Sequence, residues 1–110
     1  MATISNLYID AGTTFSAIIT VNNSNGTSVD LDGYTVAAQL RKSYGSTTAY
    51  NFTCSVYDAS SGKIQIAMTA TQTSAIKPGR YLYDIEITTG SQKTRVAEGL
   101  AIITPEITKI

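Results

Sequence analysis

The chain has 110 residues, enough for one domain that buries roughly two-thirds of the surface exposed by its unfolded form. Eight Lys and Arg residues balance eight Asp and Glu residues, so no long-range field draws the chain onto nucleic acid or anionic lipid. Histidine is absent, which excludes Ser-His-Asp and Cys-His catalysis and removes the commonest transition-metal ligand.

The single cysteine, Cys54, excludes a disulfide within the chain. The first residues carry neither the basic nor the apolar region of a signal peptide, and no later apolar run approaches membrane-spanning length. We therefore expect the protein to be made and folded in a cytoplasm.

Alternation of apolar and polar residues predicts strands along most of the chain. A short strand or extended arm covers Ser5 to Ile9, and a second strand covers Thr13 to Val21. In the second strand Ile18 is an apolar residue on an otherwise polar face. Ile18 is therefore a candidate contact residue.

The Asn25-Gly26 pair predicts a hairpin loop, because both residues tolerate positive φ, and Thr27 to Leu31 is predicted to return as a strand. The next strand covers Tyr34 to Arg41. The polar loop that follows, Lys42 to Thr48, carries Tyr44 at its tip.

Tyr50 to Val56 is predicted to form one half-buried strand with Cys54 facing inward. A further strand ends at Met68. Thr69 and Gln72 then have the spacing of a capping box, which predicts one helical turn. We expect this turn to link one sheet to the other, with Ala75 and Ile76 packed beneath it.

The clearest strand follows Pro78-Gly79 and places four apolar side chains on one face: Tyr81, Tyr83, Ile85 and Ile87. Thr89 to Ser91 closes a hairpin into the last strand, about Gln92 to Thr104. The apolar residues predicted to share one face of that last strand are Val96, Leu100 and Ile102.

About seven strands, one helical turn and no βαβ alternation predict an all-β fold, a single antiparallel immunoglobulin-like β-sandwich. Tyr81 and Tyr83 after Gly79 resemble a tyrosine corner. A small, partly open barrel is the alternative. One domain fills residues 1–110, with residues 1–6 and 105–110 as candidate extended arms.

No residue pattern predicts a catalytic, cofactor or metal site. We interpret Cys54 as a small buried hydrophobe rather than a nucleophile. Asp84 and Glu86 share a strand face, but with Arg80 and Arg95 as cross-strand partners they indicate a charged surface rather than a glycosidase pair. The acids of the segment 30–33 are too few for calcium and indicate a turn.

Arg41, Lys42 and Tyr44 form the nearest approach to a basic and aromatic patch. With no net charge and no further cluster, the patch indicates protein contacts rather than nucleic-acid binding, since loop aromatics and arginine are enriched at protein interfaces. We therefore expect neither a nucleic-acid nor a membrane partner.

An ordered set of stretches extends over nearly the whole chain: residues 9–15, 29–36, 40–43, 62–64, 68–73, 78–86 and 98–99. In order and spacing they resemble the small β-sandwich domain of tailed-bacteriophage virion proteins, including the N-terminal domain of upper baseplate proteins and stand-alone small structural proteins. Each motif consists mostly of turn and strand-start residues, so it is the ordered set that carries the resemblance.

The resemblance implies a non-enzymatic structural component of a virion, made and assembled in the bacterial host cytoplasm. Its partners would be other virion proteins of the capsid, neck, tail or baseplate, with the chain itself present in repeated copies. The candidate contact residues are Ile18, Arg41, Lys42, Tyr44, Ile107 and Ile110. The alternative function is a carbohydrate-binding or adhesin-like module, because exposed tyrosines on a β-sandwich can stack on sugars.

Overall fold

The structure is a computed structural model that describes residues 3–23 and 25–107. Within these ranges the strands and the helix follow one another as β1 (Thr3–Ile4), β2 (Leu7–Asp10), β3 (Phe15–Thr20), β4 (Thr35–Arg41), β5 (Tyr50–Asn51), β6 (Thr53–Asp58), β7 (Lys63–Met68), α1 (Ala70–Ser74), β8 (Gly79–Thr89) and β9 (Gln92–Thr104).

The larger sheet is built on the long antiparallel hairpin of β8 and β9. β4 pairs antiparallel with the other side of β8, and β5 pairs antiparallel with the outer side of β4. On the far side, β1 and then β2 pair with β9, and both run parallel to it. The sheet is therefore antiparallel except at the edge that carries the N-terminal segment.

The smaller sheet consists of β3, β7 and β6, all antiparallel, with β7 in the middle. Alternate residues of both sheets face one another and are buried, among them Ile64 and Ile66 of β7 and Tyr83, Ile85 and Ile87 of β8. Burial of each such isoleucine side chain stabilises the fold by about 1.5–3 kcal/mol. The core therefore lies between the two sheets.

The order in which the chain visits the two sheets is that of an immunoglobulin-like sandwich. β3, β6 and β7 take the positions of strands B, D and E, and β4, β8 and β9 those of C, F and G. The Tyr81 hydroxyl donates to the Lys77 carbonyl oxygen at 2.6 Å, as in a tyrosine corner. The predicted fold class is confirmed, although the N-terminal strands pair with β9 instead of lying beside β3.

The predicted strand from Thr27 to Leu31 is wrong. The hairpin loop returns only as an isolated bridge between Asn22 and Ser28. The Asp30 carboxylate then accepts the Asp32 backbone N–H at 3.0 Å. Such a local bond offers the backbone an alternative to a strand ladder, so the chain turns here instead of pairing.

The single strand predicted from Tyr50 to Val56 divides at Phe52. Tyr50 and Asn51 pair with β4 in the larger sheet, whereas Thr53 onwards pairs with β7 in the smaller one. The Phe52 side chain is buried where the chain changes sheets, and its N–H donates to the Ala38 carbonyl at 3.0 Å. The alternation predicts the inward residues correctly but cannot reveal the crossing.

A β-bulge in β9 makes the predicted face of that strand wrong. Ile85 lies opposite Ala97 and Glu86 lies opposite Arg95, so Val96 is an extra residue without a partner. Because a bulge shifts the alternation by one residue, Val96 and Ala97 are both buried, and beyond them the inward residues become Ala101 and Ile103. Leu100 and Ile102 face outward instead.

The predicted capping box is present at α1. The Gln72 N–H donates to the Thr69 hydroxyl at 3.2 Å, and the Thr69 N–H donates to the Gln72 side-chain oxygen at 2.8 Å. The turn links β7 of one sheet to β8 of the other, as predicted. Ile76 is buried beneath it, but Ala75 is exposed, so the prediction for Ala75 is wrong.

Thr73 is a fully buried polar residue that joins α1 to the turn before β3. Its hydroxyl accepts the Gly12 N–H at 3.0 Å and donates to the Thr13 carbonyl at 2.8 Å. Thr73→Val keeps the shape but leaves both groups without a partner, so we expect a loss of about 1–3 kcal/mol in the free energy of unfolding. Urea denaturation measures it. The exposed Thr71→Val on the same helix is the control, and equal losses in the two variants would contradict this role.

The Tyr83 hydroxyl donates to the carbonyl of Ser5, which lies in the short link between β1 and β2. Burial raises the pKa of Tyr83 above its ordinary value of 10.0. The pKa of Tyr83 is higher in the folded than in the unfolded chain. Its contribution to stability is therefore fully present when the pH is below the unfolded pKa, and it is lost as the pH rises through the folded pKa.

Tyr83→Phe should therefore lose less stability than the wild-type chain as the pH rises from about 9 to about 12, most of the difference lying above about pH 10. The urea midpoint measured across this range is the readout. Tyr44→Phe, which removes the hydroxyl of an exposed tyrosine, is the matched control. An unchanged slope in Tyr83→Phe would show that Tyr83 does not carry the alkaline loss.

Candidate interaction surface

The outward side of the larger sheet, here called the outer face, carries an open concavity of about 700 Å³. Three neighbouring strands supply its floor, because Leu82 lies opposite both Arg41 and Leu100, and Asp84 lies opposite both Gln39 and Glu98. The remaining lining comes from the edges and from the neighbouring rows: Ile4, Asn6, Ser43, Tyr44, Tyr83, Glu86, Arg95 and Gly99.

Apolar side chains form the centre of the outer face. Leu82 and Leu100 are direct cross-strand neighbours and are half-buried. Ile4 and Tyr44 also line the concavity, with 78% and 83% of their surfaces exposed. Large exposed apolar groups brought together and rimmed by polar residues are typical of interaction sites rather than of an idle surface.

Charged residues flank this apolar centre on one side. Arg95 pairs with Asp84 at 3.1 Å and with Glu98 at 3.8 Å. Because the pairs are partly exposed, each contributes little to stability, on the order of 1 kcal/mol or less. They place the three side chains next to one another beside the leucines.

The loop that carries Tyr44 is anchored by Arg41. The Arg41 guanidinium donates to the Ser46 carbonyl at 2.7 Å and to the Gln39 side-chain oxygen at 3.2 Å. A turn bond from the Ser46 N–H to the Ser43 carbonyl, at 3.1 Å, closes the loop around Tyr44. These contacts fix the position of the loop at the edge of the outer face.

The structure brings together only some of the predicted contact residues. Arg41 and Tyr44 line the outer face, whereas the Lys42 ammonium lies 5.0 Å from the centre of the Tyr81 ring, a cation–π contact. Ile18 is 46% exposed but belongs to the smaller sheet. Ile107 is 96% exposed beyond the end of β9, and Ile110 lies outside the described residues.

The first candidate arm also has a defined place. Thr3–Ile4 and Leu7–Asp10 pair with β9 of the same chain, and Leu7 and Ile9 are buried. This segment therefore forms an edge of the sheet. In the second candidate arm, Pro105 follows the last residue of β9, where ladder pairing ends.

Sequence reasoning missed Ile4, Leu82 and Leu100 as members of the outer face. The signal for Leu82 was present, since it is an apolar residue on the polar face of β8, as Ile18 is on β3. Leu100 could not be placed, because its outward direction depends on the bulge at Val96.

The thiol and the carboxylate that could have served catalysis both make contacts within the sandwich. Cys54 is half-buried, its thiol donates weakly to the Phe52 carbonyl at 3.6 Å, and burial raises the pKa of this thiol. Asp84 is paired with Arg95, as predicted, whereas Arg80 forms no ion pair among the described residues. No group of three or more acids and cysteines with metal-binding spacing occurs in the described ranges.

No protein-family model and no characterised protein sequence matches the chain. Among solved structures, InlP of Listeria monocytogenes superposes with a TM-score of 0.50 over 94% of this chain, at 12% identity. The likeness is one of fold. The chain spans only 28% of the InlP chain. A VGSC β subunit, studied for multimeric cell-adhesive interactions, has a TM-score of 0.43 at 9% identity over 92% of each chain.

In residues 3–23 and 25–107 the helix α1 has five residues, and no helix there is long and apolar enough to cross a bilayer.

Proposed function

We propose that the chain is a non-enzymatic structural subunit of a tailed-phage virion, present in repeated copies and attached to other virion proteins through the outer face. The ordered sequence resemblance supports the kind of particle. The apolar centre of the outer face supports the mode of action. Capsid decoration or cementing, the neck, and the tail or baseplate are the positions open to it, and assembly takes place in the bacterial cytoplasm.

The observation that carries the proposal is the grouping of Ile4, Tyr44, Leu82 and Leu100 around one concavity on the larger sheet. Leu82 and Leu100 lie on the paired strands of the β8–β9 hairpin, and the Tyr44 loop is tied down by Arg41. A surface that is already ordered loses little conformational entropy on binding, so more of the gain from apolar burial appears as affinity.

The rim gives such a contact its direction. Arg95, Asp84 and Glu98 are held beside the leucines, where a partner of opposite charge pattern would be oriented as it docks. Many copies on a symmetric particle sum to firm attachment, because each further contact of a linked array forms at a high effective concentration.

Mass spectrometry of density-purified particles, from the host that carries this gene, tests the proposal. We expect the chain to co-purify with the major capsid or tail proteins at a fixed stoichiometry, in particles treated with protease and high salt to remove adherent host proteins. Detection only in the soluble lysate, and not in the particles, would contradict it.

A carbohydrate-binding or adhesin-like function is the second candidate. The observation that favours it is the exposed Tyr44 ring beside the carboxylates and the amide of Asp84, Glu86 and Gln39 in the same open concavity. An aromatic ring next to hydrogen-bonding groups is the combination with which proteins bind sugars. Binding of the purified chain on a glycan array, lost in Tyr44→Ala, would favour this function, and no binding on the array would remove it.

A further inference from the structure

In the part of the chain that the structure describes, the edge of the smaller sheet at β3 is open. In a constant-type immunoglobulin domain strand A pairs beside strand B, but here β1 and β2 pair with β9 instead. Among the described residues β7 is the one strand that pairs with β3. Within residues 3–23 and 25–107, one side of β3 therefore presents a row of backbone groups without a ladder partner.

The direction of those groups follows from the pairing on the other side. The Val21 N–H donates to the Gly62 carbonyl at 2.7 Å, just beyond the β3–β7 ladder. Hydrogen-bonded and non-hydrogen-bonded pairs alternate along antiparallel strands, so Phe15, Ala17 and Ile19 also bond to β7. The residues whose N–H and C=O groups point to the open edge are Ser16, Ile18 and Thr20.

The β3 edge lacks the features with which proteins block edge pairing. Over Phe15–Thr20 it contains no charged residue and no proline, and its register with β7 is continuous. The opposite edge of the same sheet, β6, is interrupted by a bulge between Val56 and Asp58 and carries that Asp charge. Long, uncharged edges without a bulge are templates for pairing with another chain.

We propose that β3 pairs antiparallel with β3 of a second copy of this chain, about a two-fold axis that passes beside Ile18. A two-fold axis pairs any strand with itself in antiparallel register, and the absence of charge means that no like charges oppose each other. The two small sheets then join into one continuous sheet. This deepens the proposed function by naming a second copy as one partner.

The pairing explains why Ile18 is an exposed apolar residue on a polar face. At the two-fold axis Ile18 lies directly opposite the partner's Ile18, and Ser16 lies opposite the partner's Thr20. Six paired residues cover less than the roughly 800 Å² per partner of a stable complex, so the free dimer is weak. A particle that holds the copies side by side raises their effective concentration and strengthens the pair.

Cysteine cross-linking of the full chain tests the register, in a Cys54→Ser background that removes the native thiol. Ile18→Cys should form a disulfide-linked dimer under mild oxidation, because Cα atoms in such a pair are about 5.5 Å apart, within disulfide range. Ser16→Cys should cross-link at least tenfold more slowly, since the two copies of residue 16 lie about four residues, or roughly 13 Å, apart. Equal rates, or no dimer in either variant, would overturn the proposal.

Sedimentation of the wild-type chain and Ile18→Lys provides a second measurement. Lysine at this position places like charges opposite each other, so the weak dimer should disappear while the melting temperature stays unchanged. Ser55→Lys, on exposed β6, should keep the dimer. A dimer that persists in Ile18→Lys would show that another surface pairs the copies.

The β3 pairing and the virion role can fail independently of each other. If the chain is found in particles but Ile18→Cys does not cross-link there to a second copy, or cross-links to a different protein, the pairing fails and the structural role stands. If Ile18→Cys cross-links but the chain is absent from particles, the virion role fails and the pairing stands.

Discussion

Ile85→Ala should lower the free energy of unfolding by about 2–5 kcal/mol, a large share of the roughly 5–15 kcal/mol that stabilises a domain. Ile85 is completely buried in the middle of β8. Its direct neighbours in the sheet are Ala38 on β4 and Ala97 on β9, and both side chains are too short to fill the space that the isoleucine leaves. The cavity therefore persists, and its cost adds to the lost burial.

Ile18→Ala is the matched control, because it removes the same atoms from a strand residue that is 46% exposed. We expect it to change stability by less than about 1 kcal/mol in the dilute monomer. Urea denaturation, followed by fluorescence of the tyrosines, gives both values. Similar losses for the two variants would contradict a core between the sheets at Ile85.

Leu82→Glu should weaken attachment of the chain to particles by about tenfold or more in affinity, equivalent to about 1.4 kcal/mol or more, and so lower its copy number there. Leu82 lies at the centre of the outer face, between Arg41 and Leu100. A carboxylate there must be desolvated when a partner covers the face, which is costly. In the free chain the same carboxylate faces Arg41, so the sandwich should still fold.

Ser55→Glu is the control for added charge, because Ser55 is exposed on β6 of the other sheet. Quantitative mass spectrometry of particles assembled with each variant, normalised to a major capsid protein, is the measurement. Thermal melting of the purified chains shows that both variants remain folded. If Leu82→Glu and Ser55→Glu were incorporated equally, the outer face would not be the attachment surface.

Much of the fold could be predicted because local alternation reports burial on a strand. Tyr81, Tyr83, Ile85 and Ile87 are all inward, as the pattern of β8 predicts. The capping box at Thr69 and Gln72 was equally visible, since its contacts lie within four residues. Such features depend on neighbouring residues alone, and the sequence displays them directly.

The remaining features depend on contacts that are distant in sequence. The parallel pairing of β1 and β2 with β9 joins residues more than ninety positions apart, and no local pattern encodes it. The sequence does not reveal the crossing at Phe52, because the inward residues alternate without interruption from Tyr50 in one sheet to Cys54 in the other. The bulge at Val96 shifts the alternation only once the register with β8 is known.

The same distinction applies to the candidate surface. Tyr44 and Arg41 were found because an aromatic and an arginine in a polar loop stand out by composition. Lys42 was grouped with them, but its charge lies over the Tyr81 ring. Leu100 was assigned inward, and Ile4 lines the outer face only because β1 pairs with β9.

A particle reconstruction at a resolution that shows side chains would reveal whether another protein covers the outer face. We expect one sandwich per repeating position, with Tyr44, Leu82 and Leu100 covered by another virion protein. Particles without density for the sandwich, or with the sandwich present and its outer face open to solvent, would contradict it.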